Sequence, residues 1–137
     1  MSELTTILGK KLHWTQPNGW VFDPVLVGPD TIDYTVAEGP HAGRHAVQPT
    51  HYHRIAPGIE LTSWHEEVGT VVTIIWYLET RTTHRYAAIP AWAARDIKVL
   101  AGDNQDPEYL KRVGELGAAG PDGPRLILAD DGYFELL

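Results

Sequence analysis

The feature that most constrains the fold is a series of short β-branched and aromatic runs, separated by turn-forming residues about every 8 to 12 positions. The clearest run is Thr31–Ala37, in which Ile32, Tyr34 and Val36 alternate with polar residues. Such alternation is typical of a strand that buries one face. The 10 prolines and 13 glycines are spread along the chain instead of forming a linker. We therefore predict a mostly β protein with one domain over residues 1–137.

Turn signals divide the chain into eight to ten predicted strands. Pro17-Asn18-Gly19 follows the first strand, and Pro49 introduces a kink in the fourth. We expect a small closed antiparallel β-barrel, whose interior is filled or holds one small ligand. The predicted strands are Leu12–Gln16, Trp20–Val27, Thr31–Ala37, Arg44–Ile55, Ile59–Glu66, Thr70–Glu79, Arg81–Ile89, Ile97–Gly102, and a closing hairpin of Arg125–Ala129 and Tyr133–Leu136 around Asp130-Asp131-Gly132.

One α-helix is predicted late in the chain. Asp106 can cap its N-terminus, Pro107 suits the first helical position, and Glu108 places a negative charge in the first turn. Helical spacing gives this helix one apolar face. The face would consist of Leu110, Val113, Leu116 and Gly117.

Composition excludes several classes of function. The chain contains no cysteine, which rules out disulfides, thiolate zinc sites and a cysteine nucleophile. Its 11 basic and 18 acidic residues give a net charge of −7, which argues against binding to a phosphate backbone. No apolar run approaches the roughly 20 residues of a membrane span, and residues 1–11 show no signal-peptide pattern. We expect a soluble, cytoplasmic protein with no nucleic-acid or membrane partner.

Glu66 and Arg44 are the charged residues with the clearest catalytic potential. Strict alternation along the strand places Glu66 on the same face as Trp64 and places Glu67 on the opposite face. A carboxyl group beside a large aromatic wall loses water, which raises its pKa toward the range of general acid–base catalysis. Arg44, at the entry to a strand, could point into the barrel and hold a carboxylate or phenolate bidentately. The alternative for both residues is an ordinary solvated surface charge.

The seven histidines raise the alternative of a metal site. His51 and His53 lie two apart, so that their side chains share one face of a strand at a spacing found in metal sites. A third ligand would have to come from elsewhere, and the sequence does not specify it. The chain also lacks a phosphate-binding glycine loop and a Gly-x-Ser-x-Gly elbow. We therefore expect scattered surface histidines and no metal site.

The order of short motifs over residues 8–112 resembles that of the bacterial phenolic acid decarboxylases. A later segment, His84 followed by Ile89-Pro90-Ala91-Trp92, also matches that family, whereas the C-terminal part is shorter and matches poorly. The earlier matching motifs are Leu8-Gly9, Asn18-Gly19-Trp20, Asp30-Thr31-Ile32-Asp33-Tyr34, Ala42-Gly43-Arg44, Gly58-Ile59, Ser63-Trp64-His65-Glu66 and Gly69-Thr70.

The resemblance implies a lipocalin-like β-barrel with its active site inside, usually in a homodimer. It also implies cofactor-free decarboxylation of para-hydroxycinnamic acids. Arg44 matches the arginine of the family and Glu66 its catalytic glutamate, while Asp33 and Tyr34 match neighbouring barrel residues. By this resemblance we expect a small-molecule substrate to contact Trp14, Gln16, Phe22, Tyr34 and Trp64.

One departure from the family concerns the first strand. The family carries two tyrosines there, two residues apart, whose phenols bind the polar end of the substrate. This chain has Trp14 and Gln16 at those positions, which can donate hydrogen bonds but cannot act as phenol acids. We therefore expect an altered substrate.

Three other functions remain open at this point. The same barrel could catalyse another cofactor-free reaction, such as an isomerisation, cyclisation or hydration. It could bind a small molecule without catalysis, as small barrels often do. The third alternative is a metalloprotein that uses His51 and His53.

Overall fold

The computed structural model describes residues 5–137, and nine antiparallel strands form its framework. Residues 1–4, which the predicted domain includes, lie outside the described residues. The strands are β1 (Leu12–Thr15), β2 (Val21–Gly28), β3 (Thr31–Glu38), β4 (His45–Pro49), β5 (His51–Ala56), β6 (Ile59–His65), β7 (Val71–Tyr77), β8 (Thr82–Ile89) and β9 (Leu126–Leu136).

The strands form one coiled sheet that nearly closes into a barrel. Their order is β4-β3-β2-β1-β9-β8-β7-β6-β5, and β4 at one edge contacts β6 near the other. Thr50 joins the two edges, because its backbone N–H donates to Asp30 O at 2.9 Å and its hydroxyl donates to Ser63 O at 3.2 Å. The predicted antiparallel β-barrel is thus confirmed.

Arg44–Ile55 is two strands and not one kinked strand. Pro49 ends β4, which pairs with β3, and β5 begins at His51 and pairs with β6. Proline removes a backbone donor from the ladder, so the pairing partner changes where the chain passes from one edge of the barrel to the other.

Alternating side chains fill much of the barrel interior. On β7, Val72, Ile74 and Trp76 point inward and are buried, while the residues between them are partly exposed. Trp14 lies against Trp76, with 5.4 Å between the ring centroids, and joins β1 to β7 across the barrel. This period-two pattern is the one from which the strands were predicted.

Three short helical segments cover one end of the barrel: α1 (Ala91–Ala94), a 3₁₀ helix (Ile97–Leu100) and α2 (Pro107–Ala119). The predicted strand Ile97–Gly102 is therefore wrong. Its apolar residues pack with Val68 and Tyr109 in a second core cluster beneath the helices, so tertiary packing overrides local β-propensity. No helix among residues 5–137 is long and apolar enough to cross a membrane.

The start of α2 matches the prediction, but its buried face does not. Asp106 accepts a hydrogen bond from the Glu108 N–H at 3.0 Å, and Pro107 occupies the first turn. Of the predicted apolar face, Val113 is buried, whereas Leu110 and Leu116 are exposed. The other buried residue of the helix is Tyr109. The predicted face does not include it, because that face was drawn through aliphatic residues at helical spacing.

The closing hairpin is also wrong, because Leu126–Leu136 is one continuous strand. Asp130 and Asp131 lie within the strand and do not form a turn. Arg85 on β8 binds the Asp130 carboxylate, and His84 on β8 binds the Asp131 carboxylate. Gly132 allows a close backbone approach: a Cβ at this position would lie 2.5 Å from Thr15 O. As a result β9 pairs with β8 along its length and with β1 at its end.

Candidate active site

A cavity lined by aromatic and aliphatic side chains lies inside the barrel, and Ile97 and Leu100 of the 3₁₀ helix are among its lining residues. Its volume is about 50 Å³, measured as the space open to the centre of a water molecule. Since about 10 to 15 Å³ on this measure holds one water, the interior is not packed solid. Four of the predicted substrate-contacting residues line this cavity: Trp14, Phe22, Tyr34 and Trp64.

Gln16 is buried but does not line the cavity. Neither atom of its amide has a hydrogen-bond partner among the described residues. Its side-chain oxygen lies close to Gly132, against the tight β1–β9 pair. Trp14 lines the cavity, but its indole N–H already donates to the Thr83 hydroxyl at 2.9 Å. The Trp14 N–H is therefore not free for a ligand, and the unpaired amide of Gln16 lies away from the cavity wall.

Glu66 and Glu67 both point inward, which corrects the prediction that they lie on opposite faces. Strand β6 ends at His65, and a turn follows in which the Gly69 N–H donates to Glu66 O at 2.9 Å. Side-chain alternation holds only within a strand, so it does not apply beyond His65. The Glu66 and Glu67 side chains are 9% and 12% exposed.

Arg44 lies at the centre of the cluster, and its side chain is 1% exposed. Just before it, Gly43 has a φ of +94°, in the left-handed region that favours glycine, and β4 begins at His45. The guanidinium binds Glu67 through two nitrogens, at 2.7 and 3.0 Å. Its Nε donates to the Tyr34 hydroxyl at 3.0 Å, and it also donates to Tyr109 at 2.8 Å. Every nitrogen of Arg44 therefore has a partner within the protein.

Glu67 is held as a carboxylate within this cluster. Burial alone would raise its pKa, but Arg44 together with Gln48 and Tyr109 lowers the pKa of Glu67 to about 2. Gln48 donates to Glu67 at 2.9 Å and the Tyr109 hydroxyl donates at 2.8 Å. Glu67 was not predicted as a site residue, and only its place beside Glu66 in the sequence pointed to it.

Tyr34 and Glu66 lie on the cavity wall next to Arg44. The Tyr34 hydroxyl donates a hydrogen bond to Glu66 Oε2, and the Trp64 indole N–H donates to the same oxygen at 3.1 Å. Burial, followed by the charge of Glu66, raises the pKa of Tyr34 well above its usual value of 10. Tyr34 therefore remains a protonated phenol, and the pair offers a carboxylate and a phenol at the cavity wall.

Two buried polar side chains on the cavity wall lack partners among the described residues. They are His41, through Nδ1, and Thr70, through its hydroxyl. Burial, with the charges of Arg44 and Arg85, lowers the pKa of His41 to about 4, which keeps the imidazole neutral. A buried polar atom without a partner costs about 1 to 3 kcal/mol, so a bound ligand could satisfy these groups.

Arg85 is a second buried arginine on the cavity wall, and sequence reasoning missed it. It binds Asp130 through Nε at 2.9 Å and through Nη2 at 2.7 Å. The alternation of β8, in which Thr83, Arg85 and Ala87 are buried, could have indicated that this arginine points inward.

Asp33 and the histidine pair lie on the outside of the barrel. Asp33 accepts from His45 Nε2 at 2.8 Å, so this residue is part of the barrel but not of the cavity. His51 and His53 are exposed, with parallel rings 6.5 Å apart. No group of three or more His, Asp or Glu side chains among residues 5–137 could hold a metal ion.

Comparison with known proteins supports the sequence resemblance. Residues 4–133 match the family model "Phenolic acid decarboxylase (PAD)". The chain is 28% identical over 128 residues to a probable phenolic acid decarboxylase of Vibrio cholerae, covering 93% of this chain and 72% of that one. It is 27% identical over 90 residues to the phenolic acid decarboxylase PadC of Bacillus subtilis, covering 65% of this chain and 56% of that one.

A solved structure from Burkholderia vietnamiensis, described as a "putative beta-lactamase", has a similar fold. The TM-score is 0.65, and the match covers 99% of this chain and 100% of that one. Sequence identity is 13%, so this similarity concerns the fold alone.

Proposed function

Because the chain belongs to the phenolic acid decarboxylase family, we propose that it is a cofactor-independent lyase that decarboxylates a small unsaturated or aromatic acid inside the barrel. A hydroxycinnamate-like acid suits the aromatic walls of the cavity. The observation that carries the proposal is the hydrogen-bonded pair of Tyr34 and Glu66 on the cavity wall. This pair supplies the proton-transfer groups that such a reaction requires.

The reaction needs proton transfers rather than an external electron sink. In a para-hydroxycinnamate, loss of the phenolic proton and addition of a proton to the alkene carbon beside the carboxylate give a quinone methide. The bond to the carboxylate then breaks, its electron pair restores the aromatic ring, and carbon dioxide leaves. Return of a proton to the phenolate gives the vinyl phenol, so each turnover consumes one proton.

We assign proton exchange with the substrate to Glu66, which has a side chain on the cavity wall and a phenol as its direct partner. Tyr34 orients the carboxylate through the hydrogen bond that its hydroxyl donates to Glu66 Oε2. Arg44 acts through these two residues: it donates to Tyr34 at 3.0 Å and lies 3.5 Å from Glu66. In this proposal Arg44 positions the pair and does not bind the substrate anion, because Glu67 already binds its guanidinium bidentately.

The test uses a panel of cinnamic and other arylacrylic acids with the purified protein. We expect carbon dioxide and the corresponding vinyl product from at least one acid, with a loss of about 100-fold or more in Glu66→Gln. Glu79→Gln, an exposed glutamate at the end of the β7–β8 hairpin, is the matched control and should retain full activity. Absence of product from every acid, or equal rates in wild type and Glu66→Gln, would refute the proposal.

The state of Trp14 favours a second candidate, another cofactor-free reaction in the same cavity. Its indole N–H donates to the Thr83 hydroxyl, so Trp14 presents an apolar surface where the family has a phenol. Such a wall suits a less polar substrate for isomerisation, cyclisation or hydration. Analysis of all products by mass spectrometry separates the two candidates, because decarboxylation lowers the mass by that of carbon dioxide.

We also propose that the protein forms a homodimer, as the family resemblance implies. Light scattering on the purified protein measures its mass in solution. We expect twice the chain mass of 15.2 kDa.

A further inference from the structure

Arg85 lies in the barrel interior, and the chemistry assigned to Glu66 does not use it. Its side chain is 3% exposed, and it lies on the cavity wall. The register of the sheet places it at mid-length of β8, opposite Ile74 of β7 and Asp130 of β9. A charged group at such a position is expensive unless it is paired or has a function.

Asp130 pairs with only one edge of the Arg85 guanidinium. The Asp130 carboxylate accepts hydrogen bonds from Arg85 Nε at 2.9 Å and from Arg85 Nη2 at 2.7 Å, which is the side-on arrangement. A guanidinium has five N–H donors in a rigid fork, so its end-on edge, formed by Nη1 and Nη2, keeps donors. Nη1 has no hydrogen-bond partner among the described residues. Asp130 therefore fixes the plane of the group and leaves a second edge free.

Arg85 differs in this respect from Arg44, the other arginine on the cavity wall. All nitrogens of Arg44 have protein partners, two of them on Glu67. Among the described cavity residues, Arg85 is the cation that keeps a donor for a ligand.

The surroundings of Arg85 suit a planar ligand. Its guanidinium carbon lies 5.9 Å from the centroid of the Trp14 ring and 6.0 Å from that of Trp20. These rings hold the cation in place by cation–π attraction and form flat apolar walls beside it. Phe22 extends this wall, with its ring centroid 5.0 Å from that of Trp14.

We propose that the free edge of Arg85 binds the carboxylate of an aromatic acid whose ring lies along the aromatic cavity walls. The end-on fork of a guanidinium matches the two oxygens of a carboxylate, whereas a phenol offers one oxygen and is neutral near pH 7. At the Tyr34–Arg44 part of the cavity, by contrast, every nitrogen of Arg44 already has a protein partner, so Arg44 offers no comparable free edge to a carboxylate. The inference rests on the proposed function only in taking an aromatic acid as the ligand.

The test measures binding without turnover. Para-hydroxyphenylpropanoate has a carboxylate but no alkene, so it cannot form the quinone methide. Para-ethylphenol keeps the ring and hydroxyl but lacks the carboxylate. Quenching of tryptophan fluorescence, to which Trp14 and Trp20 contribute beside the site, reports binding of both compounds.

The decisive variant is Arg85→Gln combined with Asp130→Asn, which removes both charges and leaves no unpaired carboxylate. We expect the Kd of para-hydroxyphenylpropanoate to rise about 10-fold or more, because a bidentate charge-assisted pair is lost. The Kd of para-ethylphenol should change less than about twofold. Arg95→Gln, an exposed arginine between α1 and the 3₁₀ helix, is the matched control and should bind both compounds as the wild type does.

A second variant decides the matter if the double variant does not fold. Arg85→Lys keeps the positive charge but lacks the forked guanidinium. We therefore again expect weaker binding of para-hydroxyphenylpropanoate and unchanged binding of para-ethylphenol. Unchanged propanoate affinity in a folded variant overturns the inference, as does equal loss of both compounds or no propanoate binding by the wild type. Turnover of arylacrylic acids is a separate measurement. The protein can therefore bind the propanoate through Arg85 without decarboxylating any acid, or decarboxylate an acid without Arg85-dependent binding.

Discussion

Arg44 binds Glu67 bidentately, at 2.7 and 3.0 Å, and this pairing leaves Glu66 as the carboxylate on the cavity wall. Two adjacent glutamates thus have different roles. Glu67 neutralises the buried guanidinium, and Glu66 stays available to a ligand through its contact with Tyr34. The division depends on the turn after His65, which brings both carboxylates to the same side.

Removing Glu67 should destabilise the protein strongly. Glu67→Gln leaves the charge of Arg44, which is 1% exposed, without its bidentate partner. Loss of one partner from a buried pair costs about 3 to 5 kcal/mol. We expect a drop of about this size in the free energy of unfolding, measured by urea denaturation. Glu108→Gln, an exposed glutamate in the first turn of α2, should change it by less than about 1 kcal/mol. Equal stabilities of wild type and Glu67→Gln would contradict the structural role of the pair.

Removing the Tyr34 hydroxyl should slow catalysis without loss of the fold. Tyr34→Phe keeps the ring between Phe22 and Trp64 but removes the donor to Glu66. We expect kcat to fall about 10- to 100-fold, with a smaller change in KM, because the hydroxyl orients the proton-transfer group. Steady-state kinetics on the best acid of the panel measure this effect. A variant with wild-type kcat would exclude Tyr34 from the reaction.

Stability should depend on pH through His45. Its ring lies between Asp103 and Asp33, at 2.8 Å from each, and hydrogen bonding to Asp103 is the first cause of its raised pKa. A raised folded-state pKa means that the stabilisation is fully present below the unfolded pKa of 6.5 and is lost as pH rises through the folded value. We therefore expect Tm to decline above pH 6.5 in wild type.

His45→Gln is the control for this pH effect. The variant should have a lower Tm than wild type at pH 6, and the difference should shrink as pH rises. His53→Gln, an exposed histidine on β5, should leave the pH profile as it is in wild type. A pH profile of His45→Gln that runs parallel to that of wild type would show that this histidine does not contribute.

A pair of glycine substitutions tests the close β1–β9 contact. Gly132→Ala would place a Cβ 2.5 Å from Thr15 O, so β9 must shift. We expect a loss of about 2 kcal/mol or more. Gly114→Ala, within α2, meets no atom within 4 Å and should stabilise the protein by about 0.5 to 1 kcal/mol. Similar effects of the two substitutions on thermal unfolding would argue against a tight contact at Gly132.

The barrel could be predicted because its signals are local. Alternation in Thr31–Ala37 and the turn at Pro17-Asn18-Gly19 depend only on neighbouring residues, as does the helix start at Asp106-Pro107. The exceptions depend on tertiary contacts. Asp130-Asp131-Gly132 has the composition of a turn, but the arginine and histidine of the neighbouring strand bind its carboxylates.

The site was predictable where it depends on strand faces and not where it depends on turns or register. Trp14, Phe22, Tyr34 and Trp64 line the cavity because their strands alternate regularly. The inward position of Glu67 arises beyond the end of β6, where alternation no longer applies.

Arg85 has its partner 45 residues away on β9, a pairing that becomes visible only once the register of the sheet is known. Gln16 continues the alternation of β1, yet it lies outside the cavity wall because the strand already ends at Thr15.

In the proposed reaction, Glu66 drives the loss of carbon dioxide from an aromatic acid inside this barrel. The decisive measurement uses arylacrylic acids labelled with ¹³C at the carboxyl carbon, which are incubated with the protein in the presence of a metal chelator. We expect the label to appear as ¹³CO₂, at a rate that falls about 100-fold or more in Glu66→Gln. Label that stays entirely in the acid, or is released equally fast by Glu66→Gln, would contradict it.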